Sequence, residues 1–157
     1  MSPTYAQTIR DLALTQQVAA LGTLHDGKPF VSMVPFALLG SSFVIHVSSL
    51  AAHTKDMQLN PDVSLMVMAS PAPDVPVQGL ARITVQGRAT PIQTSTDEWA
   101  RAKAAYLTRF PQSEPLFDFS DFSLFAIEPI TVRVVGGFAQ AKTISQEDFA
   151  LALRVVS

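Results

Sequence analysis

Hydrophobic and polar residues alternate with the two-residue period of β-strands through much of the chain. Apolar runs bounded by turn residues predict about seven strands, at 19–24, 30–39, 43–48, 63–69, 80–92, 122–127 and 130–135. Asp26 and Gly27 predict a tight hairpin between the first two runs, because both residues accept the positive φ of a type I′ turn. Gly87 predicts a β-bulge in the long fifth run, and Pro129 separates the last two runs. Most of the chain is therefore expected to form antiparallel strands linked by hairpins.

Four segments show the 3.6-residue period of helices instead, at 4–18, 51–59, 95–109 and 145–153. The clearest is 95–109, which opens with Ser95 and Glu98 in a capping-box spacing and carries apolar residues along one face. Helices at both ends and in two connections, combined with hairpin-linked strands, are typical of a closed antiparallel barrel. We expect a mainly β, α+β fold, an antiparallel β-barrel with flanking helices, formed as a single domain over residues 1–157.

Composition narrows the classes of protein to consider. The chain is 48% hydrophobic, carries a net charge of −2 and contains no cysteine, so disulfides and thiolate metal sites are excluded. Basic residues are scattered singly, which gives no electrostatic reason to expect nucleic acid. No apolar run approaches the ~20 residues of a membrane span, and the pattern of a signal peptide is absent. We therefore expect a cytoplasmic protein without a nucleic-acid or membrane partner.

The segment after the third predicted strand gathers more phosphate-compatible side chains than any other. It offers three hydroxyls, one imidazole and one ammonium within eight residues, from Ser48, Ser49, Thr54, His53 and Lys55. The strand gives way there to a short helix, whose first amide groups and dipole favour an anion. The segment is predicted to bind a phosphate or a similar anion.

Two other side chains leave more than one interpretation open. Arg82 stands in an apolar strand, where it either points to solvent or binds a buried anion. His46 lies in mid-strand and is favoured as a surface or partly buried histidine, because a metal site would need partner ligands. The three histidines show no metal-ligand spacing such as HExxH, so no metal site is expected. Catalytic acid–base residues are not identifiable.

The order of these elements and several sequence segments resemble a known family. A strand containing SMVPF is followed by FVIHVSSLAAHTKDMQLNPDVSLMVM, ARITVQGRAT, FSLFAIEP and VGGFAQA. In this order they resemble the flavin-binding split-barrel proteins, which include pyridoxamine 5′-phosphate oxidase. The serine-leucine-alanine-x-His-Thr segment and the Gly-Gly-Phe near the C terminus resemble in particular the haem-utilisation (HugZ-type) branch.

The resemblance implies a six-stranded split barrel that forms a homodimer with two FMN sites at the interface. On this resemblance the residues beside the isoalloxazine ring are Ser32, Met33, Val34 and Pro35. Those at the FMN phosphate are Ser48, Ser49, His53, Thr54 and Lys55, with Arg82 where the oxidase presents a polar side chain to the flavin.

Three departures from the family pattern bear on function. The oxidase has an arginine where Ser32 stands, so one phosphate contact is missing. After Gly136 and Gly137 the oxidase carries arginines for its pyridoxal phosphate substrate, whereas residues 138–142 here are FAQAK. The resemblance therefore implies a protein that is not a true pyridoxamine 5′-phosphate oxidase. Longer haem-utilisation relatives continue into a C-terminal helical part that supplies haem contacts, whereas this sequence ends at Ser157.

Our hypothesis from the sequence is an FMN-binding flavoprotein, an oxidoreductase acting on an unknown small substrate, in which the flavin performs the electron transfer. Two alternatives stay open. One is a haem-binding protein of haem utilisation, with His46 or His53 as the iron ligand. The other is a split barrel without a cofactor that serves as a binding module.

Overall fold

A computed structural model describes residues 3–136 and 140–154, which form one antiparallel sheet with flanking helices. The strands are β1 (Val18–His25), β2 (Lys28–Pro35), β3 (Ala37–Leu39), β4 (Ser42–Ser48), β5 (Asp62–Met68), β6 (Arg82–Pro91), β7 (Phe122–Val135) and β8 (Ala141–Ser145). The helices are α1 (Pro3–Thr15), α2 (Ala52–Leu59), α3 (Asp97–Arg109) and α4 (Gln146–Leu153), with 3₁₀ turns at Val77–Gly79 and Pro111–Asp118. The predicted α+β class is confirmed.

The strands pair in the order β2-β1-β5-β6-β7-β4-β3, and β8 pairs with β7. The first half of β7 pairs with β4, and the end of β7 pairs with β8. Strand β6 pairs with β7 along most of the length of β7. At the β1–β2 turn Asp26 and Gly27 have φ angles of 50° and 77°, as the predicted type I′ hairpin requires. This topology places α2 against β1. The helices of the described residues are too short or too polar to span a membrane.

The β6–β7 ladder contains the bulge predicted at Gly87. The register shifts between Gln86, which pairs with Thr131, and Gly87, which pairs with Pro129. A Cβ on Gly87 would lie 2.6 Å from the carbonyl oxygen of Glu128, so a larger residue would displace the backbone. Pro129 lacks an N–H, and the bulge accommodates it. For this reason β7 is continuous where the sequence predicted two strands.

Two apolar clusters lie against the sheet. The larger is formed by the barrel strands with α1 and α4, and includes Phe43, Phe125 and Phe149. The smaller lies under α3 and includes Tyr106 and Phe110. Because β4 lies between the two clusters, residues on both of its faces are buried.

Arg109 joins the end of α3 to the end of α1. Its guanidinium donates to the carbonyl oxygens of Ala13, Gln16 and Phe36 at 2.6, 3.1 and 3.0 Å, and it lies over the Phe36 ring. The carbonyl of Ala13 belongs to the last turn of α1, where intrahelical donors run out. Arg109 therefore caps α1 and fixes the start of the barrel.

The first half of the chain differs from the prediction at two boundaries. The predicted helix 4–18 ends at Thr15, because Val18 already pairs with Pro35. The predicted strand 30–39 is divided into β2 and β3 at Phe36, whose N–H donates to the carbonyl oxygen of Gln17 at 3.0 Å instead of to a neighbouring strand.

The second half differs in the cap of α3 and in the number of strands. α3 begins after Thr96, whose hydroxyl accepts from the Trp99 N–H at 3.1 Å, whereas Ser95 has a φ of 66°. β8 was not predicted, and the eight strands of the described residues exceed the six implied by the resemblance. The expected Gly136-Gly137 turn lies partly outside the described residues.

Candidate functional site

β4 ends at Ser48, and the turn after it leads into α2. The Ser48 hydroxyl donates to Oδ2 of Asp121 at 2.8 Å and accepts from the Leu50 N–H at 3.1 Å. The Ser48 carbonyl oxygen accepts from the Thr54 hydroxyl at 2.6 Å and from the Ala51 N–H at 3.1 Å. These bonds fix the entry to α2, and they use the hydroxyls of Ser48 and Thr54 within the protein.

The other side chains predicted at this junction differ in exposure. Ser49 and Lys55 are exposed, His53 is half-buried and Thr54 is fully buried. Ser49 is held only through its backbone, whose N–H donates to the carbonyl oxygen of Asp121 at 2.7 Å. A phosphate at this junction would therefore rely on Ser49, Lys55 and the first amides of α2.

Arg82 opens β6 at the far end of the sheet from this junction. It pairs with Val135 at the end of β7, while Ser48 pairs with the first residue of β7. Its guanidinium donates to the carbonyl oxygens of Gln78 at 3.2 Å and Leu80 at 2.9 Å, which closes the loop before β6. Within one chain, the structure does not bring Arg82 to the Ser48 junction.

β2 carries the four residues predicted beside the flavin ring. Val34 faces the core, Met33 is 63% exposed, and Ser32 and Pro35 are partly exposed. The Ser32 hydroxyl lies 3.3 Å from Nδ1 of His53. The structure thus brings β2 and α2 together at Ser32 and His53.

Beside this contact lies a buried carboxylate that the sequence did not single out. Asp56 follows His53 by one helical turn and is 3% exposed. Its Oδ1 lies 2.7 Å from Nδ1 of His25, and its Oδ2 accepts from the Thr23 hydroxyl at 2.8 Å. We call Thr23, His25, Ser32, His53 and Asp56 the α2 polar cluster.

The two histidines of the α2 polar cluster have opposite electrostatic environments. The hydrogen bond to Asp56 and its negative charge raise the pKa of His25. Burial lowers the pKa of His53, and the charge of Asp56 offsets part of that effect. Burial alone would raise the pKa of Asp56, but hydrogen bonds from His25 and Thr23 outweigh it and leave that pKa lowered. Opposite shifts around one carboxylate are typical of functional sites.

His46 lies elsewhere, between β4 and the smaller apolar cluster. Its ring stacks on Phe117 at a centroid distance of 3.8 Å and meets Tyr106 and Phe122 at 5.8 and 5.1 Å. Its Nδ1 is buried and has no hydrogen-bond partner among the described residues. Burial, with a smaller contribution from the charge of Lys103, lowers the pKa of His46 to about 4. His46 is therefore a neutral member of an aromatic cluster at pH 7, and it is buried, whereas the sequence favoured a surface or partly buried histidine.

The outer face of β2, β1 and β5 is apolar and exposed. Val18, Val31, Met33 and Met68 are 48, 68, 63 and 38% exposed, and they line a cavity of about 460 Å³. A second cavity of about 450 Å³ lies beside it, over β1, β5, β6 and β7. Small-molecule sites span about 300–1,000 Å³, and exposed apolar patches commonly mark binding surfaces.

Sequence reasoning missed Asp56, His25 and Thr23 as site residues. One signal was available: Asp56 stands three residues after His53, a spacing that places both on one face of a helix. The hydrogen bonds to Thr23 and His25 join residues 33 and 31 positions apart. No local pattern carries such contacts, so only the fold reveals them.

The chain was compared with known proteins. It is 37% identical over 136 residues to the chloroplast haem oxygenase HOZ of Arabidopsis thaliana, covering 86% of this chain and 40% of that protein. It is 26% identical over 142 residues to the haem oxygenase HutZ of Vibrio cholerae, covering 89% of this chain and 81% of that protein. A solved haem-binding protein from Mycobacterium smegmatis superposes with a TM-score of 0.87 at 32% identity, covering 96% of this chain and 62% of that one.

The chain thus spans about two fifths of the length of the first relative. The predicted resemblance to the haem-utilisation branch is confirmed by these relatives. The family model described as "CREG, beta-barrel" matches residues 2–150, almost the whole chain. The chain belongs to the CREG β-barrel family.

Proposed function

We propose that this protein binds haem beside the α2 polar cluster and takes part in the oxidative breakdown of haem. The proposal extends to this chain what the names of its relatives say of them. In the molecule, the observation that carries it is the pair of histidines gathered around the buried Asp56, next to β2. Imidazole is a common protein ligand of haem iron, and apolar surface binds a porphyrin ring.

The residues around the cluster suit a haem. Burial favours the neutral form of His53 at pH 7. Phe30, on the same side of β2 as Ser32, is 40% exposed and its ring lies 5.3 Å from that of His25. When bound, haem would supply an iron that reacts with dioxygen, with electrons from an external reductant. The residues of this chain would bind the porphyrin and hold protons on the two imidazoles.

FMN is the alternative ligand, with the protein then acting as a flavin-dependent oxidoreductase. Its phosphate would have to rely on Ser49 and Lys55, because internal hydrogen bonds engage the hydroxyls of Ser48 and Thr54. The observation that favours FMN is the exposed Lys55 in the first turn of α2, where the helix dipole also favours an anion. Lys55 therefore distinguishes the two ligands.

A homodimer is part of the proposal. The exposed apolar face of β2, β1 and β5 would be covered by a second copy of the chain, with the ligand at the edge of the interface. Burying that face removes apolar side chains from water, which favours association. We place the protein in the cytoplasm, which stays a prediction from the cysteine-free sequence.

Separate titrations of the purified protein with haemin and with FMN test the proposal. Haemin is expected to give a Soret band that saturates at one haem per chain, and this band should decay when a reductant and dioxygen are supplied. Sedimentation in the same samples measures whether the protein is a dimer. Lys55→Ala is the matched variant, expected to leave haemin binding unchanged because the side chain points to solvent.

Two outcomes would overturn the haem proposal. Binding of FMN without haemin, lost in Lys55→Ala, would establish the flavoprotein alternative. Binding of neither ligand would favour a split barrel without a cofactor.

A further inference from the structure

We infer that His25 is the protein ligand of the haem iron and that Asp56 is the positioning residue that orients it. The inference rests on the proposed haem function and adds the bond that would hold the iron. From sequence, His46 and His53 were the candidate ligands. The structure gives reasons to choose the third histidine instead.

His25 presents one ring nitrogen to a buried carboxylate and keeps about half of its side chain exposed. Nδ1 lies 2.7 Å from Oδ1 of Asp56, and the His25 side chain is 46% exposed. The Asp56 side chain is only 4% exposed, and its second oxygen accepts from Thr23 at 2.8 Å, so the carboxylate is held in place. When a carboxylate accepts a hydrogen bond from Nδ1–H, Nε2 remains as the metal-binding atom. This arrangement is found in most metal-bound histidines.

The other two histidines lack this arrangement. The His46 ring is covered by Phe117 at 3.8 Å, and its buried Nδ1 has no partner in residues 3–136 and 140–154. Nδ1 of His53 faces the Ser32 hydroxyl at 3.3 Å, a long contact with a neutral group. All three histidines lie in the described residues, and among them only His25 combines a carboxylate-anchored Nδ1 with an exposed side chain.

An iron bound at His25 would need further ligands that do not come from the protein. Residues 3–136 and 140–154 contain no group of three or more histidine, aspartate, glutamate or cysteine side chains placed to hold a metal ion. A free ion would therefore have too few protein ligands. In haem the porphyrin nitrogens surround the iron, and one axial histidine is sufficient. The isolated His25–Asp56 pair fits a haem iron better than a free ion.

One carboxylate faces Nε2 of His25 and would have to move for a ligand to bind there. Oδ2 of Asp26 lies 3.7 Å from Nε2, longer than a hydrogen bond, and the Asp26 side chain is 92% exposed. It can therefore turn into solvent. The half-exposed ring of Phe30 lies 5.3 Å from that of His25 and offers apolar surface to a porphyrin.

The test compares the affinities of the protein for haemin and for metal-free protoporphyrin IX, because only haemin can use an iron bond. The wild-type protein is expected to bind haemin more tightly than protoporphyrin IX. His25→Ala should abolish that difference without weakening protoporphyrin binding, and added imidazole should restore the wild-type Soret position. Asp56→Asn should keep the bond but lower haemin affinity by about tenfold or more, again without affecting protoporphyrin IX.

Lys55→Ala, at an exposed side chain outside the α2 polar cluster, is the matched control and should retain the preference for haemin, while His53→Ala tests the neighbouring histidine. If His25→Ala leaves the haemin spectrum and affinity unchanged, the inference is overturned, and loss of the preference in His53→Ala would assign the ligand there. Failure of the wild-type protein to bind either porphyrin would overturn the proposed function itself. Should Asp56→Asn fail to fold, the imidazole rescue of His25→Ala still decides the question.

Discussion

His46 and His25 occupy opposite kinds of environment in the same barrel. His46 is enclosed by the rings of Phe117, Tyr106 and Phe122, and its Nδ1 has no hydrogen-bond partner in the part of the chain that the structure describes. His25 is half-exposed, and its Nδ1 is bound to the buried carboxylate of Asp56. Burial without an acceptor makes an imidazole a neutral packing group, whereas a fixed carboxylate makes it a group that can hold a proton or a metal.

The two environments oppose each other in their dependence on pH. The pKa of His46 is about 4 in the folded protein against 6.5 ordinarily, so unfolding takes up a proton between these values and stability falls as pH falls. The pKa of His25 is raised, so its contribution is complete below pH 6.5 and is lost as pH rises through the folded value. His46 therefore lowers the stability of the protein on the acid side of neutral pH, and His25 stops contributing to it on the alkaline side.

The largest effect is expected from His46→Phe. Wild-type protein should lose roughly 2–3 kcal/mol of unfolding free energy between pH 7 and pH 4 through His46 alone, since each pKa unit corresponds to 1.36 kcal/mol. Phenylalanine removes that loss, and at pH 7 it breaks no hydrogen bond of Nδ1. Urea denaturation at both pH values measures the difference.

His25→Gln is the control for this measurement, because its loss of stability should be complete and constant below pH 6.5 and should shrink as pH rises above that value. If His46→Phe shows the same loss toward pH 4 as the wild-type protein, then the aromatic cluster does not hold His46 neutral. The contrast between the two histidines would then fail.

Asp56→Ala should have the next largest effect and act only on the α2 polar cluster. It leaves the hydroxyl of Thr23, which is 4% exposed, without its acceptor, and we expect a loss of about 2 kcal/mol at pH 7. The folded pKa of Asp56 is lowered, so its contribution is lost as pH falls through that value and the variant should approach the wild type in acid. Urea denaturation across this range measures both effects.

Asp26→Asn removes the charge of a carboxylate that also faces His25 but is 92% exposed, and asparagine tolerates the φ of 50° at this position. Its effect on stability should stay within about 0.5 kcal/mol. Equal losses in Asp26→Asn and Asp56→Ala would show that burial of the carboxylate does not matter.

The parts of the fold that sequence predicted are those with local causes. Asp26 and Gly27 specify the hairpin through their own φ preferences, and Gly87 specifies the bulge because a Cβ would meet the backbone of β7. β8 and the division at Phe36 depend on which strand is available to pair, and no local pattern carries that information.

The candidate site likewise combines residues that the sequence predicted with contacts that only the fold determines. Ser48 and Thr54 were recognised as a hydroxyl-rich junction, but the Ser48 hydroxyl is bound to Asp121, which is distant in sequence, and the Thr54 hydroxyl closes the turn onto the Ser48 carbonyl. The cluster around Asp56 is assembled from three separate elements, so no local pattern in the sequence singled out Thr23, His25 or Asp56. The sequence therefore predicted which kinds of polar group the site contains, but it did not predict their hydrogen-bond partners.

The smallest effect is expected from Ser32→Ala, which tests whether the contact with the Ser32 hydroxyl or the burial of the ring sets the pKa of His53. The Ser32 hydroxyl faces Nδ1 of His53 at 3.3 Å, but burial is what lowers the pKa of His53 and the charge of Asp56 is what opposes it. Ser32→Ala should therefore change the unfolding free energy by less than about 0.5 kcal/mol and leave the pKa of His53 in place. Asp56→Ala should lower that pKa further, because it removes the opposing charge. Titration of the His53 ring by NMR compares the two variants, and a shift in Ser32→Ala as large as that in Asp56→Ala would mean that the hydroxyl controls the protonation of His53.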